Sequence, residues 1–321
     1  MISIYAVMFY FANYFFVAAC LAVVVGVFNV RLTSFMHDCS HYAYFTSRRA
    51  NEWVGSLLGI LTFTPFLYFK YHHLKHHGAS GNLDRRGWGD VLLYTVEEYA
   101  NLPFGMRVFY RLYRNPWIYF SIGPFVYFLY IMRNPFSAAA GTRERRSLHF
   151  VNFIWIGVYA AACAAGADML HFSVLHMTTL YVGGLIGLWL FYVQHQFETA
   201  YWRRSSEWDF ADAAWHGSTY LQFPPFVEWL LGSINMHDVH HLDAKVPNYR
   251  LRERMRSLPY RFNSRNTFTF ADTFKTFRLK LWDEEDGVMV GFPKLSRRTI
   301  FRRQSIMPVQ HRDEEAVLNS P

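Results

Sequence analysis

The chain has 321 residues, enough for one large domain or two small ones. Only 17% are charged while 52% are hydrophobic and 19% aromatic, against about 25% charged in an average globular domain. The apolar residues are bunched into long blocks, so an ordinary soluble protein is excluded and a membrane protein indicated. The net charge of +8 would suit nucleic acid, but Lys and Arg flank the apolar blocks. Positive-inside topology and contact with anionic membrane lipids account for them, and no nucleic-acid partner is read.

Residues 1–30 carry no charged side chain and end at Arg31. About 20 apolar residues span a bilayer, so this block reads as a transmembrane helix, tilted or with an extra turn. The chain begins inside the block without a basic leader or a cleavage site, unlike a signal peptide, and an upstream span is expected to be missing. Residues 51–69, with Gly55, Gly59 and Pro65, read as re-entrant or interfacial. Residues 84–114 are charged, aromatic and cytosolic in character.

Residues 117–131 are short for a span and hold Gly123 and Pro124. They must dip into the membrane without crossing if the histidines before and after them share one face. Arg-Glu-Arg-Arg at 143–146 marks the cytosolic side. Two apolar blocks, 150–165 and 172–191, joined by Gly166-Ala167-Asp168, read as a membrane hairpin over 150–191. Residues 221–235 lie along the interface. Residues 256–321 form a basic cytosolic region whose tail, 297–321, is expected to be disordered.

The chemistry sits in histidines. Between Tyr71 and Gly78 four imidazoles occur in six residues. His73, His76 and His77 stand at i, i+3 and i+4, one helical face. His37 and His41 in His-Asp-Cys-Ser-His are four apart, and His237, His240 and His241 repeat the triple spacing. Eight of the fifteen histidines thus fall into three one-sided groups, with His195 a ninth candidate. Imidazole is the commonest side-chain metal ligand and suits Fe, Zn and Cu. The number is too large for one tetrahedral ion and about right for two. Of three cysteines, Cys20 and Cys163 lie in apolar blocks and Cys39 between two candidate ligands, which fits a reducing, cytosol-facing site without a disulfide framework. The Glu-x-x-His pairs of soluble di-iron bundles are absent.

The motifs His37-Asp-Cys-Ser-His41, His73-Leu-Lys-His-His77 and His237-Asp-Val-His-His241 resemble the three histidine boxes of the membrane fatty acid desaturases, in order and spacing. Three further strings resemble the bacterial acyl-lipid Δ12 (ω6) type. They are Phe-Tyr-Val-Gln-His-Gln-Phe-Glu at 191–198, Asn-Leu-Asp-Arg-Arg-Gly at 82–87 and His-His-Leu-Asp-Ala-Lys-Val-Pro-Asn-Tyr at 240–249. The resemblance covers roughly residues 30–255, with a desaturase domain over 31–255. Ser40 stands where that type has Gly, and the N-terminus is shorter than the family's.

The resemblance implies an all-α, multi-span membrane protein whose cytosolic cap holds two irons, in a bacterial inner membrane. His37, His41, His73, His76, His77, His195, His237, His240 and His241 would be ligands. Asp38 and Asp238 would accept the second ring N–H of a ligand, and Asn235 would hold a metal-bound water. His72 would be a non-ligand; counted from His72, the box would instead follow the alkane hydroxylase pattern. His149, His171, His176, His216 and His311 are read as structural. The implied activity is O2-dependent insertion of a cis double bond into an acyl chain. Since no haem or four-cysteine iron–sulfur motif is present, a ferredoxin or cytochrome b5-like donor is implied, steered by the basic surface. The competing readings are a lipid, alkane or carotenoid hydroxylase on the same scaffold and, from another class, a metal transporter.

Overall fold

The computed structural model of the chain describes residues 14–87, 90–134, 141–258 and 265–293. Residues 1–291 form one compact unit; of the second, 292–321, only 292 and 293 are described. The start of the first apolar block, the 297–321 tail and His311 lie outside the described residues.

Helix α1 (Phe15–Ser40) runs unbroken from the apolar block through His37, and His41 caps it. The first span and the first histidine pair are therefore one rod, with no structural break at residue 30. Helices α2 (Arg48–Leu61) and α3 (Phe66–Ala79) are bent by 106° about the four residues between them. The Ser47 hydroxyl caps α2 by accepting from the Ala50 N–H. At Gly59 a Cβ would lie 2.4 Å from the Thr64 carbonyl oxygen, so only glycine lets the chain fold back so tightly. The break is covered by protein: Trp155 Nε1 donates to the Ile60 carbonyl at 2.9 Å, Arg133 to that of Phe63, and the Thr64 N–H to that of Gly59 at 2.7 Å. Irregular backbone inside a membrane survives only with such partners.

Strand β1 (Tyr94–Thr95), α4 (Val96–Asn101), α5 (Phe104–Tyr113) and α6 (Pro116–Phe125) follow, and α6 passes into a π turn and a 3₁₀ turn ending at Arg133. Tyr119 packs on Tyr192, three residues before His195, at 5.5 Å, and Phe125 stacks deeper against Tyr181 at 5.3 Å. By Arg143 the chain is back beside Glu52, at 2.7 Å, on the histidine side. Tyr119 at the start of the segment's apolar part and Arg143 after it thus both lie on the histidine side.

Helices α7 (Thr142–Ala164) and α8 (Met169–His195) form an antiparallel hairpin whose turn uses Gly166 at φ +79° and the Asp168 carboxylate, which accepts from the Leu170 and His171 N–H groups. With α1 these make three helices long and apolar enough to cross a membrane, or four if the bent α2–α3 pair counts as one span. Helix α8 lies parallel to α1 at close range. A Cβ on Gly26 would come within 2.7 Å of Val182 Cβ, and one on Gly183 within 3.1 Å of the Gly26 carbonyl oxygen. In lipid, small residues at such contacts let backbones pack together.

Over the C-terminal ends of α1 and α8 sits a cap: α9 (Phe210–His216), β2 (Tyr220–Leu221), α10 (Pro225–Leu230), α11 (His237–Leu242), α12 (Leu251–Arg256), β3 (Thr267–Phe268), α13 (Phe270–Thr276), β4 (Leu281–Asp283) and β5 (Val288–Val290). The membrane portion is all-α, but the cap adds two small sheets. In one, β1 pairs parallel with β4, which pairs antiparallel with β5; in the other, β2 pairs parallel with β3. Strands of two or three residues show no periodicity in the sequence, so nothing in it signals them.

Candidate metal centre

Four helices deliver nine imidazoles to one place at the end of the bundle. Helix α1 brings His37 and its cap His41, α3 brings His73, His76 and His77, α8 ends on His195, and α11 brings His237, His240 and His241. They divide into two groups. Ring nitrogens of His37, His41, His73, His77 and His240 lie within 4.8 Å of one another, and so do those of His76, His195, His237 and His241. The i, i+3, i+4 triples of α3 and α11 are shared between the groups rather than kept on one.

The short helix α11 is held by its surroundings, since six residues cannot hold a helix alone. Ser34 Oγ donates to the Leu231 carbonyl and Gln194 Nε2 to that of Ile234, both at 2.8 Å, tying the preceding loop to α1 and α8. Gly232 turns that loop at φ +63°, where a Cβ would meet Ser34 Cβ at 2.7 Å. Arg265 donates to both oxygens of Asp238, at 2.6 and 2.8 Å. The Asn248 N–H donates to Asp38 at 2.7 Å, joining α1 to the segment after α11.

The spacing within the groups fits metal ions. Nε2 atoms of His41 and His73, His73 and His77, and His77 and His240 are 2.9, 3.0 and 3.1 Å apart. In the second group His195 and His241 place Nε2 at 2.9 and 3.0 Å from that of His237. With a metal–nitrogen bond of about 2.1 Å, ligands at right angles sit about 3.0 Å apart and tetrahedral ones about 3.4 Å apart. His37 Nε2 and His76 Nε2 are buried without a hydrogen-bond partner, a costly arrangement that a bound cation relieves. Burial first, and neighbouring imidazoles second, hold His237, His240 and His241 well below the usual imidazole pKa. Those rings are neutral at physiological pH, the form that ligates.

The three residues expected behind the ligands are placed as follows. Asp238 faces Arg265 rather than an imidazole nitrogen, and Asp38 stands 3.5 Å from His37 Nδ1 while accepting the Asn248 N–H. Burial pushes the Asp238 carboxyl up, and the Arg265 guanidinium opposes the shift. Asn235 donates to the Leu221 carbonyl and Glu228, leaving Oδ1 buried and without a partner. Two further groups stand behind ligands: Asp90, 2.7 Å from His76 Nδ1, and the Gly217 carbonyl, 3.0 Å from His195 Nδ1. Sequence reasoning missed both. Asp90 has no fixed spacing to a histidine motif, and a carbonyl has no side-chain signature.

His72 is half-buried and belongs to neither group, nor do His149, His171, His176 and His216. His176 stacks on Trp155 at 4.1 Å, 3.0 Å from the Tyr159 hydroxyl. Transporter ion sites lie near the bilayer midplane; both groups here sit at helix ends.

A bundle of apolar helices ending in two imidazole groups defines a membrane protein with a histidine-rich metal site. The profile of the fatty acid desaturase family matches residues 13–267. A fatty acid desaturase of Bacillus subtilis is 35% identical over 278 residues, 85% of this chain and 76% of that protein. An sn-1 oleoyl-lipid 12-desaturase of Picosynechococcus is 28% identical over 69% of this chain. A chloroplastic omega-6 fatty acid desaturase of Arabidopsis thaliana is 25% identical over 69%. The chain spans 63% of the length of the Picosynechococcus protein and 49% of the Arabidopsis one. It belongs to the fatty acid desaturase family, a family of oxidoreductases acting on lipid acyl chains.

Proposed function

We propose that this protein desaturates a lipid-linked acyl chain, removing one hydrogen from each of two adjacent methylenes to leave a cis double bond at the Δ12 (ω6) position. The observation that carries the reading is the pair of imidazole groups with neighbouring nitrogens about 3 Å apart. Right-angled spacing, with five donors in the first group, suits an ion of higher coordination number such as iron better than tetrahedral zinc. His37, His41, His73, His77 and His240 would hold one iron, and His76, His195, His237 and His241 the other. Bound iron supplies the O2 activation needed to break an unactivated C–H bond.

The chain's own groups do the rest. Asp90 fixes the His76 ring through Nδ1, and the Gly217 carbonyl fixes His195, so each presents Nε2 inward. Burial of eight of the nine rings keeps bulk water from the site. The reaction consumes O2, two electrons and two protons with the substrate's two hydrogens, and yields two waters. The electrons come from a separate ferredoxin or cytochrome b5-like carrier. The site faces the cytoplasm from a bacterial inner membrane. The Δ12 position and the lipid-linked substrate rest on the names of the cyanobacterial and plant relatives.

The test is gas chromatography–mass spectrometry of fatty acids from a bacterial host making the protein, supplied with mono-unsaturated chains and a ferredoxin system. A new diene with its second bond at Δ12, absent with His77→Ala, is expected. A hydroxy-acid in its place would move the protein to the hydroxylases.

A further inference from the structure

The first imidazole group has a cationic rim. Tyr42 directly follows His41 and is held at φ +57°. The Lys70 ammonium lies 3.4 Å from the centre of the Tyr42 ring and the Arg48 guanidinium 5.5 Å. The Tyr42 hydroxyl donates to Glu52 at 2.8 Å, and the other Glu52 oxygen accepts from Arg143 at 2.7 Å. Lys70 feels both Arg143 and Arg48. Three cations therefore crowd a single carboxylate, with Arg49, Arg145 and Arg146 exposed alongside. Two chain paths lead inward from this rim. Tyr42 is bonded to His41, and Lys70 stands one helical turn before His73. His41 and His73 are the rings whose Nε2 atoms are 2.9 Å apart.

We infer that the collar of Arg48, Lys70 and Arg143 around Tyr42 is the docking face for an acidic one-electron carrier protein, which would pass electrons to the metal that the first imidazole group would hold. The inference rests on the proposed function, which needs two electrons from outside the chain. Each docking would oxidise one carrier by one electron and supply that electron to the bound metals, so two dockings would serve each double bond. Excess positive charge steers an acidic partner and sets its on-rate. A lipid phosphate fits the position less well. Seated one residue from His41, it would bring the first carbons of its acyl chain to the imidazoles and carry the mid-chain methylenes past them.

The test uses the full chain in nanodiscs of neutral phosphatidylcholine, with an acidic [2Fe–2S] ferredoxin as probe. Binding is measured at low and physiological salt, with and without iron, and reduction is followed with ferredoxin and with methyl viologen radical. For Lys70→Glu with Arg143→Glu, ferredoxin affinity is expected to fall by about ten-fold or more and its salt dependence to flatten. Reduction by methyl viologen should be unchanged. Arg48→Glu, on an exposed side chain, should weaken ferredoxin binding in the same direction and guards against a folding defect in the double variant. Unchanged affinity and salt dependence would overturn the inference. So would charge reversal that affects only attachment to anionic vesicles, which would make the collar a headgroup site. Binding to the iron-free chain is independent of chemistry, so absence of any fatty acid product would count against the proposed function and not against the docking face.

Discussion

In the second imidazole group His76 depends on Asp90, and the position of that carboxylate explains why. A ring that ligates through Nε2 needs an acceptor at Nδ1 to fix its tautomer and direction; His76 finds it in Asp90. Asp90 is in turn braced through its neighbours. The Leu92 N–H donates to the Tyr113 hydroxyl, and the Leu92 carbonyl accepts from Arg114. Arg114 is fully buried, has no carboxylate partner among the described residues, and also donates to Gln196 Oε1 at 2.8 Å, one residue past His195. One guanidinium thus joins the segment that follows Asp90 to the helix end that carries His195. Asp90→Asn keeps the side-chain shape and removes the charge, so metal affinity of the second group should drop roughly 10–100-fold. Metal analysis after dialysis against a mild chelator should then read one retained ion per chain in place of two. Two retained ions would show that Asp90 does not support His76. Eight of the nine imidazoles are legible in the sequence because helical spacing puts them on shared faces, and His195 is legible through the desaturase-like string at 191–198. Asp90 and Arg114 are not, because their partners are reached only through tertiary folding.

At the scale of elements, the spans were legible from apolar length alone, and the break between α2 and α3 from Gly59 and Pro65. The division of each histidine triple between two groups was not, because it depends on how α3 and α11 cross. The α1–α8 contact sets the levels of His41 and His195, which stand at the ends of those helices. Gly26 is tight against Val182 and the Thr179 carbonyl, so a larger side chain must push the helices apart. Overpacking of this kind costs about 1–3 kcal/mol. Gly26→Leu should lower the apparent melting temperature in detergent and reduce retained metal, because His37 and His41 move with α1. Gly157→Leu on α7, where a Cβ meets nothing within 4 Å, is the control and should leave both unchanged. Equal effects from the two would mean that the α1–α8 contact has no special part in assembling the site.

Across the whole molecule, the two groups gather chain positions from His37 to His241, and each draws on three helices. Without cations, the imidazole nitrogens of neutral rings face one another at about 3 Å, and protons can satisfy only some of these contacts. With two cations, every inward nitrogen gains a partner, and ligand binding adds to the free energy of folding. Metal removal should therefore cost several kcal/mol. At about 2–4 °C per kcal/mol for a chain of a few hundred residues, the apparent melting temperature should fall by roughly 10 °C or more on chelation. Hydrogen exchange should then quicken first in α11 and the end of α3, while the close α1–α8 contact stays protected. A stripped protein with unchanged melting and exchange would mean that packing alone preforms the site, and that the metals add chemistry without cohesion.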